Sequence, residues 1–226
     1  MPQSTNIVNQ FSNFLRTSGG LEKTLRLLQA TAQIVTQVSL DNVNATRWGM
    51  AKSQFALTRR FFRFFNFIDC FARVIGLLGG SSSDGLIVMM IDLARFSCLG
   101  LYFLLEDLTI LHAMNIYLVE WNKPVLVEAF KFWFYALSLS IIGALWQLAF
   151  SPASKPKGKG KKAGSDKASV ATAQRNVLVK RIIVDGCDLL IPGAFLGWIE
   201  FGDLQVGIAM VLSTLLSGAD IWSRAQ

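Results

Sequence analysis

A single histidine, His112, stands among the 226 residues. A multi-histidine metal site is therefore excluded, and a histidine-based triad would rest on that residue alone. His112 itself suits a packed or interfacial place on a helix. Cys70, Cys98 and Cys187 lie far apart with no CxxC spacing. So sparse and odd a set argues against a disulfide framework and fits a reducing side of a membrane. Glu106-Asp107 and Asp185/Asp188 are carboxylates on helical stretches with no nucleophile or ligand cluster beside them, and caps or internal ion pairs are their expected roles. The run "GKGKKAGS" has the glycines and lysines of a phosphate loop, but it lacks the GxxxxGK[ST] spacing and no strand precedes it. No catalytic residue, metal or cofactor is expected, and the chain is not expected to be an enzyme.

The chemistry on offer is that of a boundary between water and oil. "LTRRFFRFFNF", Leu57 to Phe67, holds three arginines and five phenylalanines in eleven residues. On a wheel at about 100° per residue with Arg59 at zero, Lys52, Arg60, Arg63, Asn66 and Arg73 fall within about 100° of it. Leu57, Phe61, Phe64, Phe65 and Ile68 fall on the far side, beyond about 140°. Phe55, Phe62 and Phe67 blur the division. Such a helix suits a bilayer interface, with its apolar side in the acyl boundary and its cations among phosphates. A wedge in one leaflet only expands that leaflet and favours curvature. The same pattern would also serve a helix packed against residues 21–38. Nucleic-acid binding is not expected, because aromatic-and-basic readers sit on sheets or exposed grooves of soluble domains.

The elements that must position this stretch are helical. Hydrophobic residues make up 52% of the chain and charged residues 16%, against about 25% charged in soluble domains. The mean hydropathy is +0.43. Most of the net charge of +7 sits in residues 151–169, which hold six lysines and one aspartate. That segment has almost no apolar content and is expected to be a flexible linker, on the cytosolic side by the positive-inside bias. The N-terminus lacks a signal-peptide pattern, and the C-terminus is neither an SKL-type nor an ER-retention signal. Helices are expected at about 4–16, 21–38, 43–78, 86–121, 124–150, 170–191 and 203–222, with Asp41 or Asn42 and Asp84 as caps and a break at "IPGAFLGW". The expected organisation is an N-terminal helical region over 1–80, a membrane-associated region over 84–150, the linker over 151–169, and a C-terminal block over 170–226.

Two spans are expected to cross a membrane: Phe132–Phe150, without a charge and aromatic at both ends, and Leu204–Ala219. Leu86–Leu105 carries Asp92 and Arg95, which cost about 2.5–3.5 kcal/mol each at mid-membrane while each Leu or Ile returns about 0.5. The sum is near zero, so a crossing here requires the pair to neutralise one another on one face, covered by other helices. The fold class expected is an all-α membrane protein: an N-terminal amphipathic helical bundle, then spanning helices and a C-terminal membrane helix.

"SQFALTRRFFRFFNFIDCFARVIGLL" resembles the basic amphipathic helix of the peroxin eleven family of peroxisomal membrane-elongation proteins. "DGCDLLIPGAFLGWIEFGDLQVGIAMVLSTLLSGADIW" is similar to its C-terminal block, and "RFSCLGLYFLLEDLTIL" to its central region. The resemblance covers nearly the whole chain and is to fungal members most of all. It implies a peroxisomal membrane protein that elongates the organelle ahead of division, self-associates, and works with the division machinery. It also implies that Lys52, Arg59, Arg60 and Arg63 contact phosphates of anionic lipids, that Phe61, Phe64, Phe65 and Ile68 insert, and that the element from Asp188 to Trp198 orients the last helix. Gly193 and Gly197 have GxxxG spacing, but Pro192 beside them favours a turn over a helix-dimer seam. The alternative is a pore for small metabolites, also proposed for that family. It would be lined by Asp92, Arg95, Lys131 and Gln147, and the same Asp92 and Arg95 serve equally as an intramembrane pair.

Overall fold

A computed structural model describes residues 7–80, 85–150 and 164–225, with 164–171 given by their backbone alone. Among the described residues there is no strand. The helices are α1 (Ile7–Arg16), α2 (Ser18–Val38), α3 (Asn42–Phe62), α4 (Asn66–Leu78), α5 (Leu86–Leu108), α6 (Ile110–Ala113), α7 (Asn122–Phe150), α8 (Gly164–Phe195) and α9 (Asp203–Arg224). Local chemistry sets two of their starts. The Thr17 hydroxyl accepts from the Gly20 amide, and the Asp41 carboxylate accepts from the Val43 amide, which satisfies amides that a helix start leaves orphaned.

The long helices pack side by side in the order α4–α5–α7–α8–α9–α2–α3. Each runs antiparallel to its neighbour. On α7 and α8, Phe130 stacks on Phe195 while Ser140 meets Asp185. On α2 and α9, Gln33 donates to the Asp203 carbonyl, and Lys23 lies beside Gly218. Helix α1 closes the outside of the α2–α9 pair, with Phe14 edge-on to Trp222 at 5.6 Å. Because α7 and α9 run the same way, α8 returns the chain along the length of the bundle.

Small residues face inward. Helix α7 buries Ala129, Ala136, Ser140, Gly143 and Ala144; α9 buries Gly207, Ser213, Thr214 and Gly218. A Cβ on Gly143 would lie 3.1 Å from Ile91 Cγ2, and one on Gly207 2.9 Å from Ile34 Cγ1. Large apolar residues face outward instead: Leu86, Ile87, Met90, Ile142, Leu145, Leu212 and Leu215 are all exposed. In water this would be an aggregation surface; in lipid it is the ordinary arrangement, because helices there associate by close approach of small residues. Among the described residues, three helices are long and apolar enough to cross a membrane: α5, α7 and α9, of 23, 29 and 22 residues. At about 1.5 Å per residue each exceeds a hydrocarbon core of about 30 Å. In α5, Arg95 donates to Asp92 at 3.2 Å, so the two charges that weighed against a crossing bind one another.

The structure corrects three expected boundaries. The helix expected over 43–78 breaks at 63–65, where Phe65 sits at φ +67. The helix expected over 86–121 ends at Leu108, and α6 follows as a single turn. Helix α8 begins at Gly164, inside the segment expected to be linker, and does not stop at Ile191 but runs through Pro192 to Phe195. The chain then folds back so that the amides of Trp198 and Ile199 donate to the Gly193 carbonyl. A Cβ on Gly193 would lie 2.5 Å from Ile199 Cδ1, so this glycine makes the tight return possible. The expected Asp84 cap, the first residues of the helix expected from Ser4, and most of the lysine-rich linker lie outside the described residues.

Candidate membrane-contact site

The arginine-phenylalanine stretch ends α3 and begins α4. Its two residue types part company there, and the cations turn into the protein. Arg59 donates through Nε to Glu22 Oε1 at 2.8 Å and through Nη1 to Gln29 Oε1 at 2.7 Å. Arg60 donates to Thr109 Oγ1 at 2.6 Å and to the Glu106 backbone carbonyl. Arg63 donates to Glu106 Oε1 at 3.0 Å and to the Tyr102 hydroxyl at 3.2 Å. Tyr102, 1% exposed, stacks on Trp133 with ring centroids 5.1 Å apart. Burial raises the Glu22 carboxyl, but Arg59, with Lys23 and Arg26, outweighs burial and holds its pKa at about 2. A second buried pair stands alongside: Arg26 is paired with Asp188 and donates to Ser213 Oγ at 3.0 Å.

In this structure protein acceptors hold the three guanidiniums, of Arg59, Arg60 and Arg63, that the resemblance assigns to lipid phosphate. The physical reason lies on α2 and α5, which bring Glu22, Gln29, Glu106 and Thr109 against the arginine side of the helix. Lys52 differs. It meets Asp203 at 3.3 Å as a partly exposed pair at the bundle surface.

The aromatic residues go the other way. Phe61, Phe65 and Ile68 are 49%, 56% and 55% exposed, and Ile75 and Leu78 continue the bare row along α4. Phe64 is half-buried, its ring 4.2 Å from that of Phe65. The break between the helices aims this row. Three residues, Arg63 to Phe65, form a tight turn, and the Phe65 amide donates to Asp107 Oδ2 at 3.0 Å. A phenylalanine at positive φ costs roughly 1–3 kcal/mol, which the Asp107 hydrogen bond and the flanking arginine bonds offset. Glu22, Gln29, Tyr102 and Thr109, which help position this stretch, escaped sequence reasoning; Glu106 and Asp107 are expected from sequence as caps or ion pairs, but without their partners. Glu106 carried a signal: a carboxylate in an apolar helix needs a partner, and the arginines are the nearest cation-rich segment.

Asp92 and Arg95, the other candidate pair, lie elsewhere on α5. They bind one another, and the Arg95 guanidinium also lies 4.5 Å from the Phe96 ring centroid. Lys131 pairs with Glu128 at 2.6 Å on the surface of α7. Among the described residues no group of His, Cys, Asp and Glu could hold a metal.

An apolar exterior, small residues at the seams and charges closed inward define an all-α integral membrane protein. The chain matches the family model Peroxisomal biogenesis factor 11 (PEX11) over residues 8–222 and belongs to that family. It is thus a peroxisomal membrane protein of a family of biogenesis factors that acts in peroxisome proliferation and is not a family of enzymes. Comparison with curated proteins and with solved structures finds no match.

Proposed function

We propose that this protein elongates the peroxisomal membrane ahead of division, and so sets peroxisome number and size, by driving the outward aromatic row of α3 and α4 into one leaflet. The observation that carries this reading is the bare row Phe61, Phe65 and Ile68, each about half exposed on a bundle whose exterior is built for lipid. Full burial of such a side chain is worth about 1.5–3 kcal/mol, so covering the bare half of each gains roughly 1 kcal/mol. Helix α4 has 13 residues, or about 20 Å, and lies along α5. It is too short to cross a core of about 30 Å. Its volume therefore loads one leaflet more than the other, which is what bends a membrane.

The chain acts here with anionic lipids at the bundle rim, where Lys52 lies, and as homo-oligomers, because one short wedge deforms little and many in register add. The elongated membrane is then the substrate of the division machinery. Full-length protein reconstituted into vesicles of phosphatidylcholine with phosphatidylserine tests the reading. The wild type is expected to draw tubules, and Phe61→Ser/Phe65→Ser/Ile68→Ser to leave vesicles round while keeping its helix content. Tubules drawn equally well by that variant would overturn it. Steady conductance in planar bilayers with no tubulation would favour the pore instead.

A further inference from the structure

Helices α3 and α5 pack less closely than α5 does with α4 or α7, and the Arg60 and Arg63 side chains reach from one to the other. A cavity of about 190 Å³ lies there. Arg59, Arg60, Arg63 and Glu106 form its polar wall, and Leu126, Phe130, Trp133 and Met210 its apolar wall. Three guanidiniums thus meet one carboxylate within the cavity. Outside it, Glu22 pairs with Arg59 and also with Lys23 at 3.4 Å, and Asp107 is engaged by the Phe65 amide. Among the described residues, Glu106 is the one carboxylate paired with Arg60 and Arg63, whose other acceptors are neutral. The Nε atoms of both arginines are buried without a hydrogen-bond acceptor. A buried donor without a partner is costly, and so is a surplus positive charge.

We propose that this cavity is a binding site for a small organic anion: an oxygen head group, carboxylate or phosphate, on a short apolar stem. The head answers the surplus guanidinium charge, since a carboxylate matches the planar donor fork of arginine. The stem lies against Phe130 and Trp133. A volume below the roughly 300 Å³ of ordinary small-molecule pockets admits a chain of only a few carbons. Such chemistry comes either from a free short-chain acid or from the head-group end of an anionic lipid. This site is separate from the outward aromatic row, so its failure leaves the elongation reading standing.

The test uses full-length protein in phosphatidylcholine nanodiscs and 6,6,6-trifluorohexanoate followed by fluorine NMR. Saturable line broadening is expected with the acid and none with 6,6,6-trifluorohexanol. Arg60→Gln is expected to weaken binding at least tenfold. Ala56→Phe, which fills the cavity and breaks no ion pair, is expected to abolish it at unchanged helix content, so a folding defect in the arginine variant does not decide the matter. Discs containing phosphatidic acid assign the source: displacement of the probe supports a lipid head group as the occupant, and undiminished binding supports a free acid. No saturable broadening in phosphatidylcholine discs, or broadening that survives Ala56→Phe, would overturn the site.

Discussion

Helix α5 is joined to α7 by close apolar packing and to α3 by long charged side chains. Against α7, Ile91 fits over Gly143 and the helices touch along their length. Against α3, Arg60 and Arg63 reach across a cavity to Glu106, Thr109 and Tyr102. The first seam draws its strength from dispersion at short range and separates only by opening a void. The second draws it from a few charge-assisted hydrogen bonds, which water, an added anion or the loss of one acceptor can alter. One region is frame; the other is the mounting of the aromatic row, and it is the part of the bundle that chemistry can reach.

The contrast is broken most severely at Glu106. Glu106→Gln leaves Arg60 and Arg63 with no buried carboxylate between them. Loss of one partner of a buried pair costs roughly 3–5 kcal/mol, and the lower end is expected because Arg60 keeps Thr109 and a backbone carbonyl. Thermal unfolding in detergent micelles reads the loss, and an unchanged midpoint would mean that the arginine seam holds nothing. At the frame, Gly143→Leu must push Ile91 aside and is expected to cost about 1–3 kcal/mol by the same assay. A cost larger than that of Glu106→Gln would reverse the ranking of the two seams.

Acid sharpens the comparison further. Glu22 has its pKa lowered from 4.5 to about 2 in the folded chain. Its pairing with Arg59 thus stabilises the fold fully above pH 4.5, and that contribution is lost as pH falls through 2. The midpoint is expected to drop across this window, and to drop less in Glu22→Gln; parallel pH curves for the two proteins would remove Glu22 from the seam. The smallest effect is expected at the rim. Lys52→Ala removes an exposed pair with Asp203 and should shift stability by about 0–1 kcal/mol, less at high salt.

Much of the fold was legible because its signals are local. The uncharged run 132–150, the cap at Asp41, and the i,i+3 spacing of Asp92 and Arg95 all depend on neighbours in sequence. The break at Arg63–Phe65 was not, since no Gly or Pro marks it: its cause is Asp107 on another helix, which catches the Phe65 amide. Helix α8 likewise ran past Pro192, because close packing there outweighed the residue that commonly ends a helix. The candidate site was half legible. A wheel separates arginines from phenylalanines correctly, but it cannot say which side faces the protein. Both sides were open to a partner, and Glu22 and Glu106, far away in sequence, claimed the cations.

The central claim is that the phenylalanines, and not the arginines, meet the lipid. Nitroxide labels at Phe61, Phe65 and Ile68, one at a time in full-length protein reconstituted into vesicles, test it by their relative exposure to oxygen and to a water-soluble nickel complex. The account predicts high oxygen and low nickel accessibility at all three, at hydrocarbon depth. Labels that sit in water, or that are shielded from both reagents as inside protein, would contradict it.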